Sequence, residues 1–201
     1  MARIGVYSGT FDPVHSGHIA FALQAMQTAN LDKVYFLPER RPRAKPHVEH
    51  YAHRVAMLTR ALRPHPRFQV QEMVEQQFSI AKTLPLLLKL YKNNELVFLF
   101  GSDVIPGIAS WPNAGQLLKD AEIVVGLRNN DSRESIKTTI SNWKTHPKSV
   151  TIFDSYAPHI TSGRVRSAIR KNQQTSGLLS SVEKYSDNNW LYVSLANVDI
   201  P

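Results

Sequence analysis

No cysteine occurs among the 201 residues. That absence excludes disulfides, thiolate zinc sites, iron–sulfur clusters and a cysteine nucleophile together, and it fits a reducing compartment. Long hydrophobic runs are missing too. The longest, Leu96 to Phe100 and Leu84 to Tyr91, are far too short to cross a bilayer, so no membrane role is expected. No signal-peptide pattern precedes the first strand-like run at Arg3, and the expected location is cytoplasmic. There is no internal repeat and no low-complexity tract. Both common nucleotide cradles, the Walker loop and the G-x-G-x-x-G fingerprint, are also absent.

What remains is ordinary for a globular protein: 42% hydrophobic and 20% charged residues in a chain of single-domain length. Twenty-four basic residues against 16 acidic ones give a net charge of +8. Such a field attracts phosphate, whether of a nucleotide or of a nucleic acid backbone. The chain lacks interleaved aromatic and basic residues and any nucleic-acid-binding motif, so no nucleic acid partner is expected.

Six short apolar runs read as strands: Arg3 to Ser8, Lys33 to Pro38, Phe68 to Val70, Glu95 to Phe100, Glu122 to Leu127 and Ser149 to Phe153. Most lack alternation, as strands buried on both faces of a parallel sheet do. Helical spacing lies between them, at Gly17 to Ala29, Tyr51 to Leu62 and Thr83 to Tyr91, with Pro85 expected in the first turn of the last. The alternation predicts an α/β, doubly wound, mostly parallel sheet. A single domain over residues 1–201 is expected, with a C-terminal helical part, about 160–192, packed on it. Ligands of this fold class bind at the carboxyl ends of the strands, so the loops there are the places to search.

The first such loop reads SGTFDPVHSGHIA, Ser8 to Ala20. Gly9 can turn the backbone out of the strand, Pro13 stiffens the loop, and Gly17 at the helix entry can admit a ligand. Amides at that helix N-terminus form an anion site, and His15 and His18 can point at the same anion. Two other readings compete: a turn with incidental histidines, and a zinc site built on His-x-x-His. The strand–loop–helix context favours phosphate handling.

The block SGTFDPVHSGH resembles the signature of the HxGH nucleotidyltransferase superfamily, and in particular the nicotinate/nicotinamide mononucleotide adenylyltransferase family. The resemblance implies a Rossmann-like nucleotidyltransferase fold. It also implies a transferase in NAD biosynthesis whose partners are ATP and a pyridine mononucleotide. AMP passes to the mononucleotide phosphate without a covalent intermediate, with Mg²⁺ held mainly by the ATP phosphates and no metal site on the protein. It assigns catalysis to His18, at the α-phosphate, and to His15. For ATP it implies Gly9, Thr10, Phe11, Gly17, Lys45, Gly101, Asp103, Ser162 and Arg166. For the mononucleotide it implies Trp111, Ser79 and Arg128.

The later loops carry the rest of the likeness. Lys45 and Arg54 match family positions after the second strand, whereas Arg40 and Arg41 read as solvated charges. His47, His50 and His53 could mimic a metal cluster, but only Glu49 offers a carboxylate nearby. Phe100 to Leu118 matches the family's Gly-x-Asp followed by Trp. Trp111 could stack on a cationic pyridine ring or equally anchor a helix in the core. ITSGRVRSAI, Ile160 to Ile169, looks like the second signature, with Gly163 where a threonine is usual. Phe78, Ser79 and Ile80 stand where bacterial nicotinate enzymes carry Ser-Tyr-Thr, which leaves Ser79 and backbone groups as the polar candidates beside the pyridine substituent. A sister transferase with a phosphopantetheine or cytidylyl acceptor is the nearest alternative; Trp111 and the length of the region after Gly101-Ser102-Asp103 argue against it.

Overall fold

The computed structural model describes residues 1–43, 45–128 and 131–193, and of Asp120 the backbone alone. Six strands form one all-parallel sheet: β1 (Arg3–Gly9), β2 (Lys33–Pro38), β3 (Phe68–Val70), β4 (Glu95–Gly101), β5 (Glu122–Leu127) and β6 (Ser149–Asp154). Their order is β3-β2-β1-β4-β5-β6. The continuous apolar runs of the sequence are these strands, because helices cover both faces and leave no solvated side. Successive residues split between two cores. Val6, Phe98, Ile123 and Val125 face one side; Tyr7, Phe36, Leu99 and Val124 face the other.

Helices α1 (Ser16–Thr28), α2 (Tyr51–Leu62), α7 (Ser162–Arg170) and α8 (Ser180–Asn188) pack into one core, and α3 (Ile80–Leu90), α4 (Ile105–Ile108), α5 (Ala114–Asp120) and α6 (Arg133–Ser141) into the other. Helix α8 lies against α2, where the Tyr185 hydroxyl is 2.9 Å from His53 Nδ1 and Arg60 stacks over the Tyr185 ring. One expectation fails in α3. The helix begins at Ile80, capped by Ser79, so Pro85 lies in its interior rather than in its first turn. Pro85 is exposed there, and water can serve the Ala81 carbonyl that proline leaves without a donor. Leu86, Leu88 and Leu90 of the same apolar run face solvent instead of the core.

The amino edge of the sheet is tied by charge: Arg3 reaches Glu95 at 2.6 Å and Glu122 at 2.8 Å. At the carboxyl edge the chain switches direction between β1 and β4, its two central neighbours. A crevice opens at such a switch, and the loops after both strands enter it.

Candidate active site

A cleft of about 600 Å³ opens at this switch point, a volume suited to a nucleotide-sized ligand. Gly9 lines it at the end of β1, Thr10, Phe11 and His15 from the loop that follows, and His18 from the start of α1. Lys45 enters from the loop after β2, Gly101, Asp103 and Trp111 from beyond β4, Arg128 from beyond β5, and Ser162 and Arg166 from α7.

The two histidines are stacked, their ring centres 3.7 Å apart and their planes inclined by 30°. His18 Nδ1 accepts the His15 backbone N–H at 3.2 Å. Because Nδ1 accepts, the neutral ring of His18 carries its proton on Nε2, a donor available to an anion. Burial pushes His15 down to about 3, with the charge of Arg128 adding to the effect. The partly buried His18 is likewise held well below the ordinary histidine value, first by burial of its ring, then by His15, Arg128 and Lys45. Both are neutral at pH 7. An incoming phosphate would oppose that shift, since an adjacent negative charge favours imidazolium.

Three glycines act by leaving room for other side chains. A Cβ on Gly17 would lie 3.0 Å from His15 Nδ1 and 3.3 Å from Ile160, so the bare backbone accommodates the catalytic-candidate ring. Gly17 lies outside the main cleft's lining and borders a separate cavity of about 20 Å³, room for about one water, beside His15, His18 and Arg128. A Cβ on Gly101 would collide with Asp103 and Arg128, whose carboxylate and guanidinium pair at 3.2 Å. At Gly9 it would press on the Phe11 ring at 3.0 Å, and β1 runs on through this residue rather than turning at it.

The anion site at α1 is narrower than the sequence suggests. Ser16 N–H is taken by the Gly177 carbonyl at 2.8 Å, and His18 N–H by the His15 carbonyl at 2.9 Å. At α7 the Thr161 hydroxyl caps Arg164 N–H at 3.2 Å, while Ser162 and Gly163, both lining the cleft, stand in the first turn where no intrahelical acceptor exists. The Ser162 hydroxyl itself donates to the Pro13 carbonyl at 2.9 Å, linking α7 to the first loop. Around Gly163 an added Cβ would have its nearest contact at 3.9 Å, so nothing in the packing demands glycine there.

Lys45 Nζ donates to the Thr10 hydroxyl at 2.8 Å. Phe11 is buried, with a positive φ of 50°, and its ring meets His18 edge-on at 5.1 Å. Its side chain is the floor of the cleft, and the surrounding packing holds a backbone conformation unusual for phenylalanine. Trp111 meets Phe100 edge-on at 6.0 Å and keeps one part of its surface to the cleft. Ser79 is placed elsewhere: it stands at the N-cap position of α3 and donates its backbone N–H to the Thr83 hydroxyl at 2.9 Å, and Phe78 takes the position on the cleft wall. The polar backbone of Phe78 is already engaged, its N–H by Glu39 at 3.1 Å and its carbonyl by Arg43 at 3.3 Å.

Other residues emerge only in three dimensions. Arg54, 1% exposed, spends its guanidinium on three carbonyls, those of Glu49, Thr10 and Arg40, at 2.9, 2.7 and 3.0 Å. It therefore shapes the loops and presents no fork to a ligand. Asp12 is buried within the first loop, and the Ser102 hydroxyl joins Asp131 to the Arg128 backbone. A polar residue inside a glycine- and proline-rich loop was the available signal for Asp12; nothing local marks its partners. Among the described residues no group of three or more His, Cys, Asp or Glu side chains could hold a metal, and His47, His50 and His53 form no such cluster.

The cytidylyltransferase-like family model matches residues 6–174. The nicotinate-nucleotide adenylyltransferase of Bacillus subtilis is 29% identical over 201 residues, covering 96% of this chain and 100% of that protein. A protein of Carboxydothermus hydrogenoformans named "Probable nicotinate-nucleotide adenylyltransferase" is 32% identical over 189 residues, 92% of this chain and 94% of that one. In fold, the chain is similar to Plasmodium falciparum nicotinic acid mononucleotide adenylyltransferase complexed with APC, with a TM-score of 0.77 at 17% identity, over 96% of this chain and 98% of that one. The chain belongs to the cytidylyltransferase-like family and, within it, to the nicotinate-nucleotide adenylyltransferases.

Proposed function

We propose that this chain transfers AMP from MgATP to the 5′-phosphate of nicotinate mononucleotide, releasing pyrophosphate. The observation that carries the reading is the stacked, neutral His15–His18 pair at the sheet's switch point, with a donor on His18 Nε2 and phosphate-binding cations on the same wall. A phosphate oxygen of the mononucleotide attacks the α-phosphorus, and the bond from that phosphorus to the bridging oxygen of the β-phosphate breaks. The electron pair leaves with pyrophosphate. Such a reaction needs alignment and charge neutralisation more than a nucleophile on the protein.

In this reading His18 serves the α-phosphate, where charge grows in the transition state, and His15 supports the same loop. Lys45, Arg166 and the first-turn amides of Ser162 and Gly163 serve the β- and γ-phosphates. Mg²⁺ arrives as part of the nucleotide. The acidic groups that line the cleft support that view: Asp103 is paired with Arg128, Glu39 accepts the Phe78 N–H and Asp12 is buried among hydrogen bonds, so each of the three is already engaged within the protein. Trp111 offers its face to the pyridine ring, and Arg128 gives the acceptor side a cation. That cation, its charge partly offset by Asp103, mildly favours the anionic nicotinate form. The preference over the nicotinamide form is small, because Ser79 does not reach the cleft and the Phe78 backbone is already bonded.

The relatives named for this activity match nearly end to end, which supports the same substrates here. The cytoplasm is the proposed location, in keeping with the fact that no helix among the described residues is long and apolar enough to cross a membrane. The test is pyrophosphate release with MgATP and each mononucleotide, read as kcat/KM. Turnover with nicotinate mononucleotide is expected; inactivity with both pyridine acceptors and turnover with 4′-phosphopantetheine would replace this reading.

A further inference from the structure

Asp12 is 2% exposed, and three distant parts of the chain meet on it. One carboxylate oxygen accepts the Tyr192 hydroxyl at 2.8 Å and the Glu49 backbone N–H at 3.2 Å. The other lies 3.4 Å from Arg166 Nη1, which also donates to the Asp12 backbone carbonyl. Tyr192 stands 180 residues away, in the short segment after α8, and is itself 9% exposed. Its backbone is held in the left-handed region, at φ 65°, a conformation tyrosine adopts only where the surroundings enforce it. Burial and the neighbouring Asp12 raise its pKa far above the usual phenol value, so the hydroxyl stays a donor.

We infer that Tyr192 and Asp12 are positioning residues that hold Arg166 by one corner and thereby leave the rest of its fork to the nucleotide phosphates. The inference rests on the proposed reading of Arg166 as a ligand of ATP. A carboxylate with both oxygens free takes a guanidinium through two parallel hydrogen bonds. Here the Tyr192 hydroxyl and the Glu49 N–H share one oxygen, and the ion pair with Arg166 is made from the other oxygen to Nη1. The anchor also removes rotamer freedom that a phosphate would otherwise have to quench on binding. Without the hydroxyl, the shared oxygen keeps only the longer 3.2 Å bond from Glu49 N–H, so Asp12 is freer to turn it toward Arg166 and draw the fork out of the cleft. The C-terminal segment would thus act on ATP affinity without touching ATP.

The experiment compares the full chain with Tyr192→Phe, Asp12→Asn, Arg166→Lys and the Tyr192→Phe/Arg166→Lys double variant. MgATP affinity is read by calorimetry, the mononucleotide KM by pyrophosphate release, and Tm by thermal unfolding. Tyr192→Phe is expected to weaken ATP binding about tenfold while the mononucleotide KM stays within about twofold. Asp12→Asn, which keeps the shape but loses the anchoring charge, is expected to weaken ATP in the same selective way. The double variant should bind ATP no worse than Arg166→Lys alone, because the two residues act through one contact. Unchanged ATP affinity in Tyr192→Phe, equal losses for both substrates with a lowered Tm, or an additive double variant would each overturn the inference. Arg166→Lys separates the two levels. If it weakens ATP and Tyr192→Phe does not, the positioning role alone falls; if it leaves ATP affinity unchanged, the ATP assignment of Arg166 falls and takes the inference with it.

Discussion

On one wall of the cleft, Lys45, Arg166 and the histidine pair are each tied to a named partner in the first loop: Thr10, Asp12 and the His15 backbone. On the other wall stand Phe78, Phe98, Phe100 and Trp111, packed edge to face, with ring centres 6.3 Å apart for Phe78–Phe98 and 6.0 Å for Phe100–Trp111. The first wall is built from directional bonds, the second from shape. Charge on a phosphate is large and fixed, so groups set in place before binding gain most from it. A flat ring is recognised by contact area, which tolerates small changes in its neighbours. Substitutions on the two walls should therefore differ in kind as well as in size.

The largest effect is expected at His18. His18→Ala removes the preorganised donor and should lower kcat by about two to three orders of magnitude, the usual cost of losing one such group. The fold should persist. A pyrophosphate assay with near-normal kcat would remove His18 from the reaction.

Acid should damage the first wall selectively. His15 is neutral in the folded protein down to about 3 but takes up a proton near 6.5 when unfolded. Between those values the unfolded state binds more protons, so the stabilisation is fully present above 6.5 and is lost as pH falls. The slope for one such histidine is about 1.4 kcal/mol per pH unit. Urea unfolding at stepped pH should show this, and His15→Gln should lessen the slope, leaving the part that the similarly lowered His18 contributes. A stability profile that is level from pH 7 to about pH 4 would contradict the buried neutral pair.

Trp111→Ala tests the second wall. Losing the stacking face should raise the mononucleotide KM roughly tenfold and leave the ATP KM little changed. Equal changes in both constants would instead make Trp111 a packing residue. The smallest effect is expected at Ser79, whose side chain does not line the cleft. Ser79→Ala should change the acid-over-amide preference by less than about twofold. A larger change, read as the ratio of kcat/KM for the two mononucleotides, would show that the wall rearranges when substrate binds.

The amino-acid sequence by itself determined the strands, because residues buried on both faces of a parallel sheet must be apolar without alternation, and Lys33 to Pro38 and Glu122 to Leu127 read so plainly. The first loop was legible for a related reason: its glycines, proline and histidines lie within one short stretch, and local chemistry needs no fold to be seen. Short helices such as α5 and α6 were not legible, since so few residues carry little periodic signal and tertiary packing holds them. The true start of α3 was hidden by Pro85 for the same reason: propensity argued one way and burial of Ile80 and Leu84 the other. Only the tertiary structure decided that Gly17 makes room for His15, that Ser79 turns away from the cleft, and that Arg54 is spent on carbonyls. It alone brought Tyr192 to Asp12 across 180 residues. A buried carboxylate must find its donors wherever the fold delivers them, and sequence distance has no part in that choice.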